Sequence, residues 1–307
     1  MNQPPNDITK DIVSKEEMTH LQSAHRALQD IPPFALISGQ QAGPIIISAP
    51  HGGLIYPHDL YDMTEDSLRR FRSLEDIGTA LIAQGLRAPT RTIITACVAR
   101  GIIDLNRPAY ALDPLLCEGD KTPLPHNDPY APYVMAGYGV IPRLSGQREP
   151  LHHGMISQDS TDRLISQFHK PYHQKLATLL SSAHPQGLLL DIHSMPEAAA
   201  GKPLPDFIFG DDFGASLPDE YRVIIDEFMR QTPYSFGWNH PYAGGYITRN
   251  FGGRHSPHHA LQIEINRRLY AGAKMRVSHE AMSRIQQMLD ALISRIETAQ
   301  IDLVAAQ

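Results

Sequence analysis

The chain has 307 residues, a formal net charge of −6 and an ordinary apolar share of 42%, which suits a sizeable buried core and excludes extensive disorder. An acidic balance without a clustered basic face argues against a nucleic-acid partner, so an anionic substrate must meet local arginines. Cys97 and Cys117 are the only cysteines, too few for a disulfide framework or a thiolate metal site, and suited to a reducing compartment. The start of the chain lacks an apolar signal core and no uncharged apolar run approaches about 18 residues, so the expectation is a cytoplasmic protein with no membrane contact.

In chain order, residues 1–30 are polar, with Pro4, Pro5 and a weak helical pattern after Ser14, and read as an arm packed on a single domain of residues 31–307. Residues 34–38 and 44–49 read as a hairpin around the turn at 39–43. The run Ile45, Ile46, Ile47 suits a central strand covered on both faces, which places the loop Pro50, His51, Gly52, Gly53 at its carboxyl end, the ligand-binding edge of open α/β sheets. Thr64 is the expected N-cap of a helical stretch carrying Leu68, Phe71, Ile77, Leu81 and Ile82, broken near Glu75.

A strand over 92–99 leads into residues 102–105. Residues 113–150, rich in Pro, Gly and Tyr, are too long for a simple connector and read as a substrate-side excursion. A helix over 160–182, strands over 187–193 and 207–209, a helix over 217–230, a strand over 261–265 and a helix over 277–304 follow. In the last helix Met282, Ile285, Met288, Leu289, Leu292, Ile293 and Ile296 form one core face. Strands and helices alternate without an internal repeat, which predicts one α/β domain.

Sixteen histidines cannot all be functional, so location must sort them. His51 and His193 each follow a buried-strand pattern and emerge on one rim if those strands are parallel. Neutral imidazole is a common zinc ligand, and a catalytic zinc keeps three protein ligands. Glu75 and Asp76 are adjacent acids able to return a carboxylate to that rim, although on spacing alone they read more simply as a solvated helical pair. Asp191, two residues before His193, shares its strand face and suits either an imidazole-orienting carboxylate or a satisfied buried pair.

Glu264 alternates with isoleucines in a strand, where a carboxylate is costly unless paired or wet. It is a general-base candidate, with a salt bridge to Arg267 or Arg268 as the plainer alternative. Arg100, Arg107, Arg143 and Arg249 sit beside Gly, Pro or Asn in loops, and their planar guanidinium groups suit carboxylate recognition. The glycine pairs form neither a dinucleotide fingerprint nor a P-loop, and no nucleophile elbow surrounds Ser48 or Ser194.

Read together, SAPHGGLIYP at 48–57, EDIG at 75–78, IDLNRP at 103–108, LDIHS at 190–194, YAGGYITR at 242–249 and LQIEIN at 261–266 resemble the N-formylglutamate amidohydrolase family. The resemblance covers roughly residues 44–270. It implies a three-layer α/β/α fold with a mixed central sheet, similar to zinc carboxypeptidases and other phosphorylase/hydrolase-like proteins, with one Zn2+ per chain at the carboxyl rim. It further implies hydrolysis of N-formyl-L-glutamate to formate and L-glutamate, within histidine degradation. Alternatives are another N-acyl amino acid or small peptide as substrate, or ligand binding without turnover on the same scaffold. Oligomeric state is not readable from the sequence.

Carried over residue by residue, His51 and His193 resemble metal ligands, with Asp76 the choice for the third and Glu75 its competitor. Glu264 resembles the carboxylate that activates water. Asn106 and Arg107 resemble a substrate-carboxylate clamp, and Arg100, Arg143 and Arg249 are candidates for the second carboxylate and the reacting carbonyl. One departure stands out: many relatives carry Ser where this chain has Gly52.

Overall fold

Seven strands form one mixed sheet in the computed structural model, which describes residues 25–41, 43–60, 64–119, 122–183, 187–199, 201–253, 256–272 and 276–305. The strands are β1 Phe34–Ile37, β2 Ile45–Ala49, β3 Arg91–Ala96, β4 Leu188–Met195, β5 Phe207–Gly210, β6 Phe236–Trp238 and β7 His259–Asn266, in the order β6-β5-β7-β4-β2-β3-β1. The central four, β7, β4, β2 and β3, are mutually parallel. β1 runs antiparallel to β3 and β5 antiparallel to β7. Of the expected arm, residues 1–24 lie outside the described residues, while Leu28 is buried in the core.

Side-chain alternation sorts the sheet into two packed faces. On one face Ile45, Ile47, Leu188, Leu190, Ile192, Leu261, Ile263 and Ile265 meet the helices α2 Thr79–Gly85, α6 Asp219–Met229 and α8 His279–Ala305. On the other, Ile46, Ile94, Leu189 and Ala260 meet α4 Gln158–Leu164, α5 Lys170–Ser182 and α7 Tyr246–Gly252. Two short helices complete the set, α1 Glu65–Arg72 and α3 Ala131–Met135. The result is helix, sheet, helix in three layers, as expected from the sequence. Burying each Leu or Ile fully contributes about 1.5–3 kcal/mol, so the two faces supply most of the driving force for this architecture.

Thr64 caps α1, its hydroxyl accepting from Ser67 N–H at 3.2 Å, and the expected break at Glu75 separates α1 from α2. The face of α8 matches the expected stripe, with Met288 only partly buried. Among the described residues, no helix is long and apolar enough to cross a membrane.

One expectation is overturned. β1 and β2 do not form a hairpin, because β3 lies between them and pairs with both. After β1 the chain passes the start of β3, where Gln41 N–H donates to Pro89 O at 3.0 Å. A Cβ on Gly43 would lie 1.9 Å from Thr90 O, so only glycine lets the chain pass this closely. The helix expected over 160–182 is continuous but contains a π turn at Ile165–His169. Pro171 has no N–H for the Gln167 carbonyl, and the chain meets that defect with the wider turn.

This close passage yields a test. Gly43→Ala should lower unfolding stability by about 1–3 kcal/mol through overpacking. Gly154→Ala, where an added Cβ meets nothing within 4 Å, should stay within about 0.5 kcal/mol of the parent. Urea denaturation of both variants measures the difference.

Candidate metal centre

The apolar alternation of the α5 face stops at the carboxyl ends of the parallel strands. Past Ile46, Leu189 and Ala260 the same face continues as Ser48, Asp191, His193, Gln262 and Glu264, all buried. Parallel pairing sets these side by side: Asp191 is opposite Gln262, and His193 opposite Glu264. Ser48 Oγ donates to Asp191 Oδ1 at 2.7 Å.

The loop after β2 brings His51 to His193, with ring centroids 4.7 Å apart. The turn between α1 and α2 adds Asp76. Asp76 Oδ2 lies 3.0 Å from His193 Nδ1 and 3.3 Å from His51 Nδ1. Both Nε2 atoms are already committed, because their partners are carboxylates that only accept. His51 Nε2–H donates to Asp104 Oδ1 at 2.7 Å and His193 Nε2–H to Asp191 Oδ2 at 2.8 Å.

Two Nδ1 lone pairs and a carboxylate oxygen therefore face one another, an arrangement that needs a proton or a cation between them. Among the described residues, His51, Asp76 and His193 each offer one ligand atom, all within 4.8 Å of one another. A tetrahedral zinc with bonds of about 2.0–2.1 Å spaces its ligands roughly 3.3 Å apart, and it favours imidazoles anchored through their second nitrogen by carboxylates. The donor set fits.

The electrostatics are those of a buried acidic nest. Burial alone would raise Asp76, but hydrogen bonds with His193 and His51 hold it well below the usual carboxylate range. Burial likewise opposes Asp104, and Arg100, His51 and Arg107 outweigh it to hold that carboxyl well below its usual value. For His193 burial works downward, yet Asp191, Asp76 and Glu264 drive it well above the ordinary imidazole value. Arg100 bridges the nest, donating to Asp104 Oδ2 at 3.2 Å and Asp76 Oδ1 at 3.3 Å. Glu264 accepts from Gln262 Nε2–H at 2.9 Å, and burial pushes it up to about 7, with Asp76 adding to the rise and His193 and Arg100 opposing it.

A family model described as N-formylglutamate amidohydrolase matches residues 43–271. The chain belongs to the N-formylglutamate amidohydrolase family. An N-formylglutamate deformylase from Pseudomonas putida is 32% identical over 246 residues, covering 74% of this chain and 81% of the relative. A second, from Pseudomonas aeruginosa, is 26% identical, covering 82% of this chain and 93% of the relative. The crystal structure of an N-formylglutamate amidohydrolase from Ralstonia eutropha JMP134 superposes with a TM-score of 0.78 at 27% identity, covering 88% of this chain and 98% of that one.

Within this family member the two adjacent acids have separate environments. Asp76 points into the nest, whereas Glu75 is held by the Tyr56 hydroxyl, with Arg72 Nε 3.6 Å away. The salt-bridge alternative for Glu264 gives way to Gln262, while Arg268 pairs with Asp206 and Arg267 donates to Ser194 O at 3.4 Å. Asn106 Nδ2 lies 3.2 Å from His193 Nε2. Arg107 is buried, donating to Tyr138 O and Asn106 O and lying over the Tyr133 ring at 4.3 Å.

Arg249, on α7, pairs with Asp212 and shares Tyr130 as a neighbour with Arg107. Arg143 pairs with Asp113 inside the 113–150 excursion, so its position relates to that segment's own shape. Sequence reasoning assigned no role to Asp104 or Gln262. Their signals were present, Asp104 inside the IDLNRP block and Gln262 on the strand face of Glu264.

At Gly52 a side chain has no room in this structure. A Cβ there would lie 2.7 Å from the Ala80 Cβ and 2.9 Å from the Ala80 nitrogen, where α2 packs against the loop. Gly52→Ser should therefore lower stability by about 1–3 kcal/mol. In a double-mutant cycle with Ala80→Gly, read by thermal or urea unfolding, the pair should be more stable than the sum of the single changes by about 1 kcal/mol.

Proposed function

We propose that this chain hydrolyses N-formyl-L-glutamate to formate and L-glutamate as a single cytoplasmic domain of residues 31–307, with one Zn2+ held by His51 Nδ1, Asp76 Oδ2 and His193 Nδ1. The observation that carries the reading is the convergence of those three donor atoms beside Glu264, in a chain of this family. Zinc held there supplies Lewis acidity toward the formyl oxygen and a lowered pKa for water at the site.

The chain's own groups do the rest. Asp104 and Asp191 fix both imidazoles with their Nδ1 atoms facing Asp76, which sets the ligand tautomer. Glu264 takes a proton from the attacking water and delivers it to the amide nitrogen as the C–N bond breaks. Burial, which raises this carboxyl above its usual range, strengthens it as a proton acceptor that can also return the proton. The water oxygen becomes part of formate, and the nitrogen leaves as the amine of glutamate.

Asn106 and Arg107 grip one substrate carboxylate. Arg249, sharing Tyr130 with Arg107, is best set for the second, ahead of Arg143, whose Nε is taken by Asp113. Arg100, anchored on Asp76 and Asp104, supplies positive charge near the reacting carbonyl.

Three variants test the assignment. Asp76→Ala should lose bound zinc and formate release together, whereas Glu75→Gln should keep zinc, as measured by atomic emission and a formate assay. Glu264→Gln should keep full zinc occupancy while formate release falls about 10²- to 10⁴-fold. Zinc-replete protein that binds N-formyl-L-glutamate without releasing formate would overturn the hydrolase reading.

A further inference from the structure

Among the described residues the segment bearing Asp104, Asn106 and Arg107 pairs with no strand, and two of its backbone carbonyls are held by imidazoles. His173 Nε2–H donates to Leu105 O at 2.9 Å, and His169 Nε2–H donates to Arg107 O at 2.7 Å. Between them Asn106 O accepts from Arg107 Nη1–H at 3.0 Å and from Tyr246 N–H at 3.4 Å. Two of three successive carbonyls thus rest on imidazoles. Because a carbonyl only accepts, each of these nitrogens must carry the proton.

The two histidines are four residues apart on one helix face, His169 closing the π turn and His173 in the first turns of α5. Their rings lie 4.3 Å apart. Tyr246 packs on both, and Phe251 stacks on His173 at 5.9 Å with an 8° interplanar angle. The pair is therefore wedged between residues 104–108 and α7, the helix that carries Arg249. Burial lowers the pKa of both, that of His173 to about 3, so each stays a neutral single donor.

Asn106, held from behind, is also bonded on two other sides and lies against the metal-site imidazole with its amide nitrogen. Its N–H donates to Asp104 Oδ1 at 2.8 Å, its Oδ1 accepts from Ile247 N–H at 2.8 Å, and its Nδ2 lies beside His193. We propose that His169 and His173 are positioning residues, a pair of imidazole donors that fixes residues 105–107 so that Asn106 stands beside His193 with Arg107 next to it over the Tyr133 ring. The proposal rests on the reading that those two residues grip a substrate carboxylate. Neither histidine touches substrate.

The test uses the full-length, zinc-replete enzyme with His169→Phe and His173→Phe, which keep ring stacking but remove the donor, and His→Gln at each position, which restores a donor of similar reach. Each Phe variant should keep its zinc, raise KM for N-formyl-L-glutamate about tenfold and change kcat less than about threefold, the scale of one lost hydrogen bond. Hydrogen exchange of the Ile247 amide, whose acceptor is Asn106 Oδ1, should accelerate, and each Gln variant should return both readouts toward the parent.

Should a Phe variant not fold, His→Asn, whose shorter amide falls short of the carbonyl, takes its place. Unchanged Ile247 exchange in the donor-less variants overturns the proposal, and so does unchanged KM when Arg107→Gln raises it. If Arg107→Gln leaves KM alone, the substrate-grip reading fails instead, and the exchange result alone decides the role of the histidines.

Discussion

A single carboxylate, Asp76, shared by two buried imidazoles, organises the rest of the molecule. Its oxygen is surrounded by Nδ1 atoms whose opposite nitrogens are pinned by Asp104 and Asp191, and its second oxygen meets Arg100. Several acids buried together are costly unless positive charge and hydrogen bonds answer them. Removing one partner from such a buried pair typically costs about 3–5 kcal/mol because the survivor is left uncompensated. The nest therefore behaves as one unit, in which Asp76 and Asp104 depend on partners from distant parts of the chain while Asp191 is answered by His193 on its own strand.

The sheet makes this unit possible by dividing each central strand along its length. Toward their amino ends β2, β4 and β7 bury aliphatic side chains on both faces, which anchors them. Toward their carboxyl ends one face turns polar while the other stays aliphatic through Ile192 and Ile265. Rigidity is thus delivered directly to Asp191, His193 and Glu264, and strand-borne groups favour fixed donor geometry; His51, Asp76 and Asp104 reach them from loops and are held by their hydrogen bonds.

Much of this was legible in the sequence because local pattern carries it. Aliphatic runs announced β2 and β4 and, with them, the shared rim of His51 and His193; alternation in β7 announced Glu264; Thr64 announced a helix start. What stayed hidden depended on contacts remote in sequence. Asp104 meets His51 across 53 positions, and the different surroundings of Glu75 and Asp76 depend on Tyr56, which holds the former. The supposed hairpin failed because strand order in a sheet is decided by β3, a segment that follows more than one helix later. The helix α7 was missed because Tyr-Ile-Thr-Arg-Asn-Phe-Gly has little intrinsic helical preference and is held by packing on β7 and β4.

The eight-residue ladder between β4 and β7 has one more consequence. A slip of β7 by a single position would swing Gln262 and Glu264 into the aliphatic layer beneath α8 and expel leucine and isoleucine in exchange, and a slip of β4 would do the same to Asp191 and His193. Misaligned assemblies are thereby rejected by the solvent itself, without any need for a bound ion to sort them. An insertion or deletion of one residue within either strand inverts every later side chain unless a bulge absorbs it.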